Sequence, residues 1–165
     1  MNVKKLKYYS VIKRDLIFEK IIFDDSFIGR ILWTKLRGGV LRLRVEEGRR
    51  LGEEYWERKC VLCEKLYGLS FVEDEMHVLF WCSVYDDIRD RFVDKLEERF
   101  NIQFRLGGLW LFDVVDLFCF VLKGGGDILE DRVRCKIEDG VFLSRLIKKF
   151  LLDVMKRRKV KMNLL

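Results

Sequence analysis

The sequence predicts a mainly α-helical protein carrying a small zinc-knuckle-like subregion of CCHC type and at most one short strand. Three observations predict it. Apolar residues recur at helical spacing in four separate stretches. No Pro occurs anywhere in the 165 residues, so nothing of that kind breaks a helix. Three of the five cysteines and the single histidine fall between residues 60 and 82, in the order C-x2-C-x13-H-x4-C. Half the residues are hydrophobic, which is enough to build a core and excludes a disordered composition. The length suits one domain with a small satellite. We divide it into a basic N-terminal lead-in over 1–25, a zinc-binding module over 26–100 and C-terminal helices with a basic tail over 101–165.

Each element has its reason. From Ser10 to Phe23, Val11, Ile12, Leu16, Ile17, Ile21 and Ile22 follow a helical period. Asp24-Asp25-Ser26 stops that helix and caps the next. The second helix carries Phe27, Ile28, Ile31, Leu32 and Leu36 on its apolar face and ends at Gly38-Gly39. Leu41-Arg42-Leu43-Arg44-Val45 alternates as a strand does, with a helical turn as the alternative, and Gly48-Arg49-Arg50 reads as a basic turn. Val84, Tyr85, Ile88, Phe92, Val93, Leu96 and Phe100 define the clearest helix. Leu109–Leu122 reads as a buried core helix bracketed by Gly107-Gly108 and Gly124-Gly125-Gly126. Asp127 caps a short helix to about Ile137, and Gly140 interrupts. Val141, Leu143, Leu146, Ile147, Phe150, Leu151, Val154 and Met155 form the last helix. Cys119 and Cys135 fall in or near apolar faces, where burial explains them.

Cys60, Cys63, His77 and Cys82 are the candidate metal ligands. Two cysteines two residues apart can turn inward at a knuckle, and a His and a third Cys can complete a tetrahedron. Soft and borderline donors with no carboxylate among them suit Zn²⁺ in a closed site, which leaves no position for a reactive water. Buried free thiols and a redox pair are the alternatives. An α-helix running from His77 to Cys82 would place the two side chains about 140° apart. The chain must therefore break before Ser83-Val84-Tyr85-Asp86, which reads as a new N-cap with an acidic partner. Glu73-Asp74-Glu75 fits the acidic first turn of a short helix bearing His77.

Taken together, the run Arg37-Gly38-Gly39-Val40-Leu41-Arg42-Leu43-Arg44-Val45-Glu46-Glu47-Gly48-Arg49-Arg50, then Glu57-Arg58-Lys59-Cys60 with Cys63, then Glu73-Asp74-Glu75-Met76-His77-Val78-Leu79 with Cys82, Tyr85 and Arg89, resembles the C-terminal zinc-binding region of non-LTR retrotransposon reverse transcriptases. The resemblance covers roughly residues 25–100 and is weaker in the last helix. It implies template RNA or target DNA as ligand and the remainder of a reverse transcriptase polypeptide as a partner. Polymerase and endonuclease signatures are missing from the sequence. Tyr85-Asp86-Asp87 and Phe23-Asp24-Asp25 do not match the aromatic-x-Asp-Asp motif, and there is no phosphate loop or G-x-S-x-G. The only His is committed to the metal, so no nucleophile has a base beside it. The expectation is a non-enzyme: the downstream module alone, whether a fragment, a remnant or an exapted domain.

The charge is unevenly spread. Residues 1–50 hold 13 basic and 6 acidic residues, 51–155 hold 15 and 21, and 156–165 hold 5 and none. Basic ends around an acidic middle suit a polyanion. Arg37, Arg42, Arg44, Arg49 and Arg50 are candidate phosphate contacts because guanidinium forks bind phosphate oxygens bidentately. Salt bridges to Glu46, Glu47, Glu53 and Glu54 are the competing use for them. Lys156, Arg157, Arg158, Lys159 and Lys161 form a tail of nuclear-localisation or nucleic-acid type. An odd number of Cys and no apolar leader favour an intracellular, reducing setting, and the basic tail favours a nuclear one. No membrane span and no small-molecule substrate are expected. The alternative function is a structural or protein–protein interaction zinc domain. An exposed apolar patch, with those arginines consumed in ion pairs, favours that alternative.

Overall fold

Ser26 opens the first helix, α1 (Phe27–Arg37), by accepting the backbone N–H of Gly29 on its Oγ at 3.1 Å. A computed structural model describes residues 26–106, 109–111, 113–114, 117–118, 122 and 137–164. The helices expected over 10–23 and 127–137, together with Cys119 and Cys135, lie outside the described residues, apart from Ile137 itself. The buried face of α1 is Gly29, Trp33 and Leu36. Phe27 and Ile28, expected to face inward, are exposed. The reason is the partner helix. A Cβ on Gly29 would lie 2.8 Å from Lys148 Cβ, so glycine lets the two backbones come close and turns that edge of α1 inward. Gly38 caps the helix, and Gly39 takes φ +60°, which only glycine adopts cheaply.

The segment read as a strand is a bend followed by a helix. Leu41 and Leu43 are buried and Arg42 is exposed, so the alternation is real. Among the described residues no strand pairs with it. Instead α2 (Arg44–Leu51) begins at once, and its first N–H groups go to one residue: Arg44 N to Glu73 Oε2 at 2.9 Å and Val45 N to Glu73 O at 3.2 Å. Glu46 and Glu47 in the first turn and Arg49 and Arg50 in the last suit the helix dipole, and Gly52 ends it at φ +76°. The basic turn at Gly48-Arg49-Arg50 is therefore helical.

A 3-10 turn over Tyr55–Glu57 leads to α3 (Val61–Tyr67), then a π-helical turn over His77–Trp81, a 3-10 turn over Ser83–Tyr85 and α4 (Asp86–Phe100). Two-residue strands β1 (Arg105–Leu106) and β2 (Leu109–Trp110) pair antiparallel, Arg105 opposite Trp110 and Leu106 opposite Leu109. The expected core helix over 109–122 thus starts as a strand; Leu117, Phe118 and Leu122 further on are helical and buried. The last helix, α5 (Ile137–Asn163), is longer than expected. Gly140 lies inside it rather than interrupting it, and the basic tail is its final turns.

The fold is mainly helical, and α5 is its axis. Leu143, Ile147, Phe150, Leu151 and Val154 line its buried face at i, i+4, i+7, i+8 and i+11. α1 packs on one side and α4 on another, with Phe92 and Phe150 ring centroids 4.7 Å apart. Trp33 lies under the Lys148 ammonium, 5.6 Å away, and donates its Nε1–H to Leu122 O at 3.3 Å. No helix among the described residues is long and apolar enough to cross a membrane.

Candidate metal centre

Cys60, Cys63, His77 and Cys82 come together at the edge of this core, all four buried, with their ligand atoms within 4.8 Å of one another. Cys60 is held in a short two-strand contact. Its N–H donates to Phe71 O at 2.7 Å beside the isolated Lys59–Val72 bridge. It is also the N-cap of α3, so Cys63 follows in the first helical turn on the same side.

His77 and Cys82 meet by a different device. The π-helical turn over His77–Trp81 closes with Cys82 N donating to His77 O at 2.7 Å. A five-residue hydrogen-bond step widens the turn, so the fifth residue returns over the first. The chain then breaks, with Cys82 extended at ψ 114°. The break before Ser83 is as expected; the π turn adds to it. Ser83 starts a 3-10 turn whose N-cap is Cys82, so the α-helix itself begins at Asp86. Arg89, buried on α4, holds both sides of this turn. Its guanidinium donates to Leu79 O at 2.8 Å, to Cys82 O at 2.9 Å and to the Asp86 carboxylate. Asp74 fixes the other end, accepting the His77 N–H at 2.8 Å and the Tyr55 hydroxyl at 2.7 Å.

Two of the donor–donor distances suit a tetrahedral cation. Bonds of the usual length, about 2.3 Å to sulfur and 2.0–2.1 Å to imidazole, require S···S near 3.8 Å and S···N near 3.6 Å. Cys63 Sγ lies 3.5 Å from Cys82 Sγ and 3.4 Å from His77 Nε2. The cluster is close enough to hold a metal ion and is consistent with zinc. Its protons tell the same story. The Cys60 thiol is lowered to about 4, chiefly by a hydrogen bond from Cys82, with burial opposing. Cys63 is raised to about 11 by burial and then by repulsion from Cys60. Cys82 is pushed up by keeping its proton in the bond to Cys60, and by burial. Three thiolates cannot share this pocket without a cation to neutralise them.

Two residues outside the ligand set matter here, and one was read differently from sequence. Glu73 does not lie in the first turn of the helix that bears His77; its carboxylate sits instead at the N-terminus of α2. It is buried, accepting the Arg44 N–H at 2.9 Å and a bidentate fork from Arg158, Nε to Oε1 at 3.0 Å and Nη2 to Oε2 at 2.8 Å. Its Oε1 lies 4.0 Å from Cys60 Sγ. Tyr85 is wholly buried nearby, its hydroxyl without a hydrogen-bond partner among the described residues.

The candidate phosphate contacts sort into two groups. Arg44 pairs with Glu53 at 2.6 Å and Arg49 with Glu46 at 2.8 Å. Arg157 donates to Asp87 and Arg158 to Glu73, so both are structural. Arg37 is half-buried against the Trp33 ring, 5.9 Å away. Arg42 and Arg50 meet Glu47 at 3.6 Å and Glu46 at 3.2 Å while remaining 87% and 70% exposed. Lys156, Lys159 and Lys161 are exposed and carry no ion pair among the described residues. No family model, curated protein or solved structure matches the chain.

Proposed function

We propose that this chain is a non-catalytic, zinc-stabilised module that holds the phosphate backbone of a nucleic acid, RNA or DNA, in the manner its resemblance to retroelement reverse transcriptase C-terminal regions implies. The four-donor cluster supports the first half. Cys60, Cys63, His77 and Cys82 lie close enough to share one ion, so zinc there would cross-link two chain segments and, with four protein ligands, leave no open position for activating water. When bound, zinc would supply structural stabilisation alone.

One observation carries the second half. Glu73 gathers the two basic stretches that lie far apart in sequence, since Arg44 and Arg158 both donate to its Oε2. The beginning of α2 and the end of α5 therefore adjoin. Lys156, Lys159 and Lys161 stand outward on that end of α5, and Arg42 stands outward just before α2. Exposed pairs such as Arg42–Glu47 contribute at most about 1 kcal/mol, so a phosphate can displace the carboxylate.

A second reading has its own observation. Phe71 and Trp81, 49% and 55% exposed, flank an open cleft floored by Met76 and His77. Such a shelf suits protein docking.

Fluorescence anisotropy with labelled single-stranded RNA and duplex DNA tests the proposal. Affinity is expected to fall steeply between low and moderate salt. Replacing Lys156, Lys159 and Lys161 together by Ala should reduce the log–log salt slope by about 2–3, as three lost phosphate contacts require. Salt-independent binding that the triple substitution leaves unchanged would overturn the nucleic-acid reading in favour of docking on the Phe71–Trp81 shelf.

A further inference from the structure

We infer that Glu73 ties occupancy of the metal centre to the seating of the C-terminal helix, with Arg158 as the counter-charge that buried Glu73 needs. The inference rests on the metal reading of the four-residue cluster.

Glu73 stands between the two. Its backbone belongs to the ligand-bearing segment, where Glu73 N donates to Arg58 O at 2.9 Å, one residue beyond the Lys59–Val72 bridge that sets Cys60. Its side chain belongs to the helices, accepting from the first N–H of α2 and from both arms of Arg158 on α5. Only 1% of Glu73 and 9% of Arg158 is exposed. Neither charge has water to turn to, so each depends on the other.

The charges make Arg158 necessary in either state, and the cross-link gives the direction. Three thiolates around a dication leave one negative charge. Glu73, 4.0 Å from Cys60 Sγ, adds a second. Arg158 supplies one positive charge on the Glu73 side, and Arg89 supplies another through the Leu79 and Cys82 carbonyls. Asp86, which Arg89 also holds, is largely exposed. A loaded centre pins the two ligand-bearing segments and with them Glu73, whose bidentate hold on Arg158 keeps the last turns of α5 seated. In an empty centre the Cys60–Cys63 and His77–Cys82 segments lose their cross-link. Glu73 is then free to shift, and a buried guanidinium without a partner is better placed in water. Lys159 and Lys161 would leave with it, so metal loading would also assemble the cation set invoked above.

Limited trypsin digestion of the full chain, followed by mass spectrometry, tests this. Metal content is measured first. If the chain holds no stoichiometric metal, the metal reading fails and the coupling falls with it. In the loaded chain, cleavage between Lys156 and Lys161 should be slow. After stripping with a chelator it should be at least about tenfold faster, because cleavage follows the population of the open form. Glu73→Gln should keep its metal yet be cut at these bonds as fast as the stripped wild type. If Glu73→Gln does not fold, Arg158→Gln is expected to give the same pattern, with Glu47→Gln as the unaffected control. Equal cleavage of loaded and stripped wild type, or full protection of loaded Glu73→Gln, would overturn the coupling.

Discussion

Replacing Cys63 by Ser is the sharpest test of the metal centre, because Cys63 Sγ lies within 3.5 Å of two other ligand atoms. The substitution is nearly isosteric, so the α3 knuckle should survive and the change should report ligation. A serine oxygen sits about 0.4 Å closer to its own backbone and is a harder, less acidic donor than a thiolate. Structural zinc sites supply about 10–16 kcal/mol of apparent binding free energy at neutral pH. Shared over four ligands, that is about 2.5–4 kcal/mol for each. Losing one should weaken zinc by about 10² to 10³-fold. Competition against a chromophoric chelator measures this directly, with Cys82→Ser and His77→Ala expected in the same range. Thermal melts should show that the variant no longer gains stability from added zinc. Zinc affinity unchanged in Cys63→Ser would refute the tetrahedral reading, whatever the burial of the thiols.

Two further outcomes follow from the same geometry. Near neutral pH Cys60, at about 4, is already a thiolate, whereas Cys63, at about 11, and Cys82, pushed higher still, keep their protons. Binding must then release two protons, so zinc affinity should fall by about 100-fold per unit of acidification between roughly pH 8 and 7; a flat profile, read with the same chelator, would contradict the assignment. Gly29→Ala tests the close contact between α1 and α5: helix propensity alone predicts a gain of about 1 kcal/mol. A Cβ 2.8 Å from Lys148 Cβ predicts an overpacking cost of about 1–3 kcal/mol. The denaturant midpoint should drop or at best stay level, and a rise would show that α5 yields freely there.

The metal cluster was legible because ligand chemistry is written in residue type. Cys60, Cys63, His77 and Cys82 are the only Cys and His residues in that short stretch, and few other uses bring them into that order. The break before Ser83 was legible too, since an unbroken helix cannot bring His77 and Cys82 together. The π turn that completes the job has no such signal; it is set by Arg89 and Asp74 gripping its two ends. Leu41–Val45 shows the opposite case. Its alternation correctly gave which side chains are buried, but a strand also needs a neighbour to take its hydrogen bonds. Glu73, 29 residues beyond Arg44, took them instead and made a helix. Nothing local to either segment announces that pairing.

The basic tail could have been sorted further from sequence than by counting cations. The apolar stripe of the last helix runs through Leu143, Ile147, Leu151 and Val154. Continued by four residues, it lands on Arg158, which places a guanidinium on the buried face. A buried arginine needs a carboxylate, and the buried Glu73 provides it. Arg157 lies beside that stripe and reaches Asp87 on α4. Lys156, Lys159 and Lys161 fall off the stripe on the remaining face, where a flexible, strongly hydrated ammonium belongs. A run that looks like five equivalent charges is thus two arginines that hold the helix down and three lysines left in solvent. Any polyanion this end binds should therefore show the salt dependence of about three phosphate contacts from the tail, and not of five.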